Sequence, residues 1–201
     1  MKKIVLIDFS NNLSQALQDC MISIGNPLSI EQNIREICLA DGIILYGKGS
    51  FSECIEKIHS LGFEELIPQF EMPVLGVSLG MQILGTYCIE KYGSEHSTEG
   101  LSVFPIKVNQ FQNVANIQHT SLESISELRG PLFKDIEENA KVFFDHSTKM
   151  PPSKNFSTSL CTFNESFSSS IQKDSFNGIE FFPELSGETG IKVLQNFIKL
   201  L

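Results

Sequence analysis

The chain has 201 residues, of which 24 are acidic and 15 are basic, so its net charge at neutral pH is −9. A hydrophobic fraction of 41% supports a buried core and excludes disorder as the main state. The shortage of Lys and Arg excludes a sequence-independent nucleic-acid binder, and no apolar run approaches the roughly 18 residues of a membrane span. We therefore expect one globular domain over residues 1–201 without a nucleic-acid or membrane partner.

The cysteines are too few and too scattered for a disulfide scaffold. Their number is odd and no CxxC pair occurs, which favours reduced thiols buried in a cytoplasmic protein. The five positions are Cys20, Cys38, Cys54, Cys88 and Cys161.

The first half of the chain alternates between predicted strands and predicted helices. Residues 3–9 form a continuous apolar run typical of a strand buried on both faces, and Asn11 or Asn12 is expected to cap the helix that follows. Short crossovers of this kind predict a parallel sheet with helices on both faces. Further strands are expected near residues 28–30, 43–46 and 73–77, and further helices over about 34–38, 51–59 and 79–91.

The second half is rich in β-forming residues. Between about residues 101 and 180, short apolar runs alternate with Gly, Pro, Asn and Ser turns, which predicts added, mostly antiparallel strands. A final helix is expected over about residues 187–200. The sequence therefore predicts an α/β fold with a mostly parallel central sheet and added antiparallel strands.

Residues 76–80 read Gly-Val-Ser-Leu-Gly at the junction of a predicted strand and a predicted helix. Such a GxSxG turn holds its central residue, here Ser78, in a strained backbone conformation above the sheet. The flanking glycines let the strand and helix backbones approach each other. The pattern alone is a weak signal, but its position at the junction favours a functional turn.

Seven segments, in chain order, resemble class I (triad) glutamine amidotransferases, and most of all the glutaminase subunits of imidazole glycerol phosphate synthases. The resemblance implies a three-layer, flavodoxin-like amidotransferase fold over nearly the whole chain. The segments are IDFSNNLSQAL, ILYGKGSF (the family's Pro-Gly-Val-Gly oxyanion loop), VLGVSLGMQIL (its GxCxGxQ turn), GLSVFPIKV, HTSLESI, VFFDHST (its Tyr-Phe-Val-His-Ser strand) and GIEFFPELS (its Gly-Val-Gln-Phe-His-Pro-Glu-Lys-Ser).

The resemblance implies a catalytic triad of which two members have changed. The family's nucleophilic Cys, its proton-carrying His and its orienting Glu match Ser78, Phe182 and Glu184 here. A serine hydroxyl is a poor nucleophile without an adjacent base, and a phenyl ring cannot serve as one. Loss of the base in a serine triad costs on the order of 10⁶ in rate, so we expect glutamine hydrolysis to be impaired or lost. Cys88 is expected too far along the same helix to substitute.

The resemblance leaves the oxyanion and glutamine-binding positions better preserved. The glycines among them have two open interpretations, a retained site or turns that the fold needs in any case. The positions are Gly47, Lys48, Gly49, Leu79 (whose N–H begins a helix), Gln82, Ser147 and Thr148. No residue spacing predicts a metal site or a nucleotide cofactor.

The sequence supports two hypotheses about function. In the first, the chain is a degenerate glutaminase-type subunit, a pseudoenzyme that partners a cyclase-like (β/α)₈ barrel in a cytoplasmic heterodimer and can still take glutamine as a ligand. In the second, it is an active amidotransferase or hydrolase in which another residue, with His146 the first candidate, assists Ser78. That second hypothesis includes the case in which Ser78 is an engineered replacement of Cys. It also includes a role in surface-polysaccharide synthesis rather than in histidine biosynthesis.

Overall fold

The computed structural model describes residues 2–10, 14–89, 97–111 and 118–201. Asn11 and Asn12, the expected helix caps, lie outside these ranges. Ser14, which precedes the first helix, makes no side-chain capping bond. The helices of the described residues are α1 (Gln15–Ser23), α2 (Ile34–Cys38), α3 (Phe51–Leu61), α4 (Leu79–Gln82) and α5 (Gly187–Ile198).

Among the described residues, nine strands form the main sheet: β1 (Ile4–Asp8), β2 (Leu28–Ile30), β3 (Gly42–Gly47), β4 (Val74–Ser78), β8 (His119–Ser126), β9 (Lys141–His146), β11 (Ser157–Phe163), β12 (Glu165–Lys173) and β13 (Phe176–Ile179). Their order across the sheet is β2-β1-β3-β4-β13-β12-β11-β8-β9. Neighbours from β2 to β13 are parallel, and neighbours from β13 to β9 are antiparallel.

Helices cover both faces of the parallel strands, because successive strand residues point to opposite faces and both sets are apolar. On β1, Ile4 and Leu6 pack in one core with α1 and α5, whereas Val5 and Ile7 pack in the other core with α3. The predicted α/β fold, with a parallel sheet and added antiparallel strands, is therefore confirmed.

The predicted helix over residues 79–91 is wrong from residue 83 to residue 89, because α4 ends at Gln82, and residues 90 and 91 lie outside the described ranges. Gly85 and Thr86 turn the chain, and a Cβ at Gly85 would lie 2.7 Å from the carbonyl oxygen of Ile106. Cys88 then lies in a strand and not on the helix of Ser78. That strand belongs to a second sheet, in the order β10-β7-β5-β6, made of β5 (Tyr87–Ile89), β6 (Thr98–Glu99), β7 (Val108–Gln110) and β10 (Thr148–Lys149).

All five cysteines are free thiols. The expectation that they are buried is correct for Cys54, Cys88 and Cys161, but Cys20 is half-buried and Cys38 is exposed. Among the described helices, none combines the length and the apolar character needed to cross a bilayer.

Candidate active site

The predicted strained turn is present at the end of β4. Ser78 has φ 53° and ψ −117°, a conformation that non-glycine residues rarely adopt. A Cβ on Gly80 would lie 1.9 Å from the carbonyl oxygen of Leu45, and one on Gly76 would lie 2.5 Å from that of Gly80. The close packing of β3, β4 and α4 thus requires these two glycines whether or not the site is active.

A cavity of about 330 Å³ opens beside this turn. It brings together seven of the residues predicted for the site, the alternative base His146, and two further residues. Gly47 does not line it but packs against Leu79, where a Cβ would be 2.9 Å from the Cβ of Leu79. The lining residues are Lys48, Gly49, Ser78, Leu79, Gln82, Ser147 and Thr148 from the predicted site, His146 from the alternative, and Gln118 and Asp145 in addition.

Phe182 is buried at the position predicted for the proton carrier, with only 1% of its surface exposed. Its ring meets Tyr46 edge-on with centroids 5.9 Å apart, and the Lys48 ammonium lies 5.5 Å from its centroid. The phenyl ring therefore packs against an aromatic side chain and lies close to a cation. No imidazole stands in this position.

Glu184, the predicted triad acid, has a tyrosine as its partner. The Tyr46 hydroxyl donates a hydrogen bond of 2.8 Å to Oε1 of Glu184. Burial raises the pKa of Glu184, although the Tyr46 bond and the Lys48 charge act in the opposite direction. The family motif quoted above has Pro where Tyr46 stands, so the donor of this bond is a residue that departs from the motif.

The side-chain amide of Gln82 forms hydrogen bonds within the protein through both its nitrogen and its oxygen. Its Nε2 donates to the Thr148 carbonyl oxygen at 2.9 Å and to Oε1 of Glu180 at 2.6 Å, and its Oε1 accepts from the Thr148 hydroxyl at 2.7 Å. Glu180 was not predicted from the sequence; it is completely buried, and burial raises its pKa. A signal was present, because Glu180 is the one acid in the apolar segment GIEFF and stands where the family motif has Gln.

Both ring nitrogens of His146 are engaged. Nδ1 lies 2.8 Å from the Thr148 carbonyl oxygen, to which it donates, and Nε2 lies 2.8 Å from Nδ1 of His119. His119 stacks on Phe163 with centroids 3.9 Å apart, and burial together with the charge on His146 lowers the pKa of His119 to about 4. His146 borders the cavity, but it has no ring nitrogen available to accept a proton from Ser78.

A salt bridge joins two walls of the cavity. Nζ of Lys48, in the loop after β3, lies 2.8 Å from Oδ2 of Asp145 on β9. Burial acts to raise the pKa of Asp145, but hydrogen bonds from Lys48, Gln118 and Thr120 outweigh it and hold this pKa below its usual range. The quoted family motifs have Val at both positions of this ion pair. Asp145 was missed because a lone acid in a strand gives no signal without its partner.

Over the ranges that the structure covers, no group of three His, Cys, Asp or Glu side chains is arranged to hold a metal ion. The side chains that line the cavity offer an ammonium, a carboxylate, an imidazole, hydroxyls and amides.

The family model for class-I glutamine amidotransferases matches residues 5–200. Together with the strained turn and the adjoining cavity, this match shows that the chain belongs to the class-I glutamine amidotransferase family.

Within the family, the chain is similar to imidazole glycerol phosphate synthase subunits HisH. It is 30% identical to that of Vibrio parahaemolyticus over 203 residues, covering 99% of this chain and 98% of the relative. It is 31% identical to that of Methanocaldococcus jannaschii over 200 residues, covering 98% of each. These relatives are named as subunits of a synthase.

Solved structures agree on the fold. A putative GMP synthase component from Thermoplasma acidophilum superposes with a TM-score of 0.74 at 16% identity, covering 100% of this chain and 94% of that one. A glutamine amidotransferase from Thermotoga maritima gives 0.66 at 14% identity, covering 99% and 84%. The three-layer amidotransferase fold is thereby confirmed.

Proposed function

We propose that this protein is a HisH-like subunit, one amidotransferase domain over residues 1–201, that has lost glutamine hydrolysis. In this proposal it acts in the cytoplasm as a structural or regulatory partner of a cyclase-like (β/α)₈ barrel that takes free ammonia. The observation that carries the proposal is the buried Phe182 at the position of the proton carrier. Five free thiols fit a reducing compartment.

The residues around Phe182 support the proposed loss of glutamine hydrolysis. Without an adjacent base Ser78 stays protonated and unreactive at neutral pH, and the phenyl ring of Phe182 can neither take up the serine proton nor return it to the leaving ammonia. Tyr46 donates to Glu184, and Lys48 lies beside the phenyl ring, so the neighbours of the missing histidine have changed as well. In this proposal the subunit keeps its fold, and its partner obtains ammonia from solution.

The second reading, in which Ser78 attacks with help from His146, is less well supported. His146 is 5% exposed and uses both ring nitrogens for bonds to Thr148 and His119. To act as a base it would have to leave a buried network, which is unfavourable.

The test measures glutamate release from glutamine, with the wild-type protein alone and with the (β/α)₈ synthase subunit of its own organism. We expect no release in either case, and we expect the barrel subunit to cyclise with ammonium salts while bound to this chain. Sedimentation should show a one-to-one complex. Glutamate release that Ser78→Ala abolishes would establish the enzymatic reading, and failure of the two chains to associate would refute the partner role.

Restoration provides a second test. Ser78→Cys and Phe182→His should each gain little alone, whereas the double variant should gain more than the product of the single effects, because nucleophile and base act as a unit. Adding Tyr46→Phe should raise the activity further, since it frees Glu184 to orient the new imidazole. A triple variant that folds, binds glutamine and stays inactive with its partner would show that the site has changed beyond these positions.

A further inference from the structure

Two buried histidines and a buried glutamate form a cluster that the proposed function does not use. Nε2 of His146 lies 2.8 Å from Nδ1 of His119, and Nδ1 of His146 lies 3.3 Å from Oε1 of Glu180. His146 borders the cavity and shares an acceptor, the Thr148 carbonyl oxygen, with the side chain of Gln82. The position of its ring is therefore coupled to the hydrogen bonds that fix one wall of the cavity.

A chain of hydrogen bonds leads from this cluster to the protein surface. Nε2 of His119 lies 2.9 Å from the Ser121 hydroxyl, which donates a bond of 2.7 Å to Oε1 of Glu123. One third of the Glu123 side chain is exposed, and a carboxylate that reaches solvent at neutral pH only accepts hydrogen bonds. Since a serine hydroxyl has a single proton and Ser121 gives it to Glu123, Ser121 must accept from Nε2–H of His119.

The directions of these bonds determine how many protons the two imidazole rings hold. Nδ1 of His146 carries a proton, because the carbonyl oxygen of Thr148 only accepts, and Nε2 of His119 carries another. His119 and His146 are opposite each other in the β8–β9 ladder, so the backbone keeps their rings adjacent. The 2.8 Å contact between the rings needs a third proton, because two lone pairs would repel each other. The pair therefore holds one proton more than two neutral rings.

The resulting positive charge lies on His146. His119 stacks on Phe163, and burial together with the charge on His146 lowers the pKa of His119 to about 4. Glu180 faces His146, whose hydrogen bond and charge act against the burial that raises the pKa of this glutamate. Oε2 of Glu180 has no hydrogen-bond partner among the described residues, so a proton placed on it would lack an acceptor.

Two carboxylates are the anions that the imidazole pair faces, Glu180 at His146 and Glu123 beyond Ser121. Cys161 on β11 interacts with Glu123, but burial and the charge of Glu123 raise the pKa of this thiol to about 12, so it stays neutral. The other charged side chains near the cluster form ion pairs of their own, which are Lys149–Glu165 at 3.2 Å and Lys48–Asp145 at 2.8 Å.

We propose that the third proton of the His119–His146 pair is a pH-sensitive link that holds the wall of the cavity. While it is present, it fixes the His146 ring, which joins β9 of the main sheet to β10 of the second sheet through Thr148. When it leaves to solvent as pH rises, two lone pairs face each other. Either the rings then separate or Ser121 turns from Glu123 to His119, and one hydrogen bond is lost in each case. The wall is thus held at neutral pH and loosened in alkaline solution.

The experiment is nitrogen-15 NMR of the histidine rings in the full chain between about pH 6 and pH 9. At about pH 7 we expect three of the four ring nitrogens of the pair to be protonated, with Nδ1 of His119 the exception. Glu123→Gln should lower the proton affinity of the pair about tenfold or more, because its amide can donate to Ser121, which can then donate to His119 as neutral rings require. Glu127→Gln is the matched control, since it removes a charge just after β8 at a side chain paired with Arg129, and it should leave the proton affinity unchanged.

Cutting the chain provides the second arm of the experiment. In Ser121→Ala, the further change Glu123→Gln should have no effect on the rings. The side-chain amide signals of Gln82 should shift at the pH at which the third proton leaves, and constant Gln82 signals would refute the loosening of the wall.

Two protonated nitrogens in the pair at about pH 7, equal effects of Glu123→Gln and Glu127→Gln, or a Glu123→Gln effect that persists in Ser121→Ala would overturn the inference. If a variant does not fold, the number of protonated ring nitrogens in the wild type decides. None of these measurements involves glutamine, so their outcome is independent of the proposed loss of hydrolysis.

Discussion

Replacing Tyr46 by Phe tests whether the tyrosine hydroxyl stabilises Glu184, the predicted triad acid, in place of the histidine that the family motif has at the position of Phe182. The change removes the 2.8 Å hydrogen bond to Glu184 and keeps the ring that packs against Phe182. A buried acceptor that loses its donor costs about 1–3 kcal/mol. For a protein of this size each kcal/mol lowers Tm by roughly 2–4 °C, so a loss of about 2 kcal/mol corresponds to about 4–8 °C.

The pH dependence of this loss sharpens the test. Because burial raises the native pKa of Glu184 above its unfolded value, the native state binds the proton more tightly, and stability falls as pH rises through the native pKa. Tyr46→Phe removes a donor that favours the ionised form, so the pKa of Glu184 rises further. The variant should therefore lose more stability at about pH 8 than at about pH 5.

Urea unfolding at both pH values measures the effect, with Tyr87→Phe as the matched control. Tyr87 lies in the second sheet under Lys107, away from any triad residue, and its variant should unfold like the wild type at both pH values. A Tyr46→Phe loss below about 0.5 kcal/mol, or a loss that does not change with pH, would refute the idea that Tyr46 stabilises the ionised Glu184.

Three further variants or reagents test other parts of the structure. Gly80→Ala should cost more than about 4 kcal/mol and give little folded protein by circular dichroism, because its Cβ would collide with the Leu45 carbonyl, and a wild-type melt would contradict this. A thiol reagent should label Cys38 before the buried thiols in a mass-spectrometric time course, and equal rates would contradict the burial pattern. Glu180→Gln should flatten the fall in stability between about pH 5 and pH 8, since it removes a buried carboxyl with a raised pKa next to His146, and an unchanged slope in urea unfolding would count against that role.

Local signals in the sequence were sufficient for the parallel half of the fold. The continuous apolar run of β1 forms a buried strand, and the Gly-x-Ser-x-Gly turn forms at Ser78, both as predicted. Each depends only on residues that are close in the sequence. The helix expected over residues 79–91 failed because tertiary contacts decide its end. Gly85 lies against the Ile106 carbonyl, some twenty residues later in the chain, and the helical period carries no information about that contact.

The candidate site was predictable only where a family motif names the residue. Seven of the predicted residues line the cavity, but Asp145 and Glu180 escaped notice because their importance lies in partners distant in sequence. Asp145 forms a salt bridge with Lys48, and Glu180 contacts Gln82 and His146. Long-range pairs of this kind require coordinates, since each member alone resembles an ordinary polar residue in a strand.

The strained turn has a consequence for how such a subunit can change over evolutionary time. A positive φ at Ser78 costs about 1–3 kcal/mol, and it persists here because Gly76 and Gly80 let two strands and a helix pack at van der Waals distance. Relaxing the turn would require all three elements to move together, which single substitutions cannot accomplish. Side chains around the turn are free to drift while its backbone stays in place, so a lineage that abandons the reaction keeps the scaffold on which the reaction could be rebuilt.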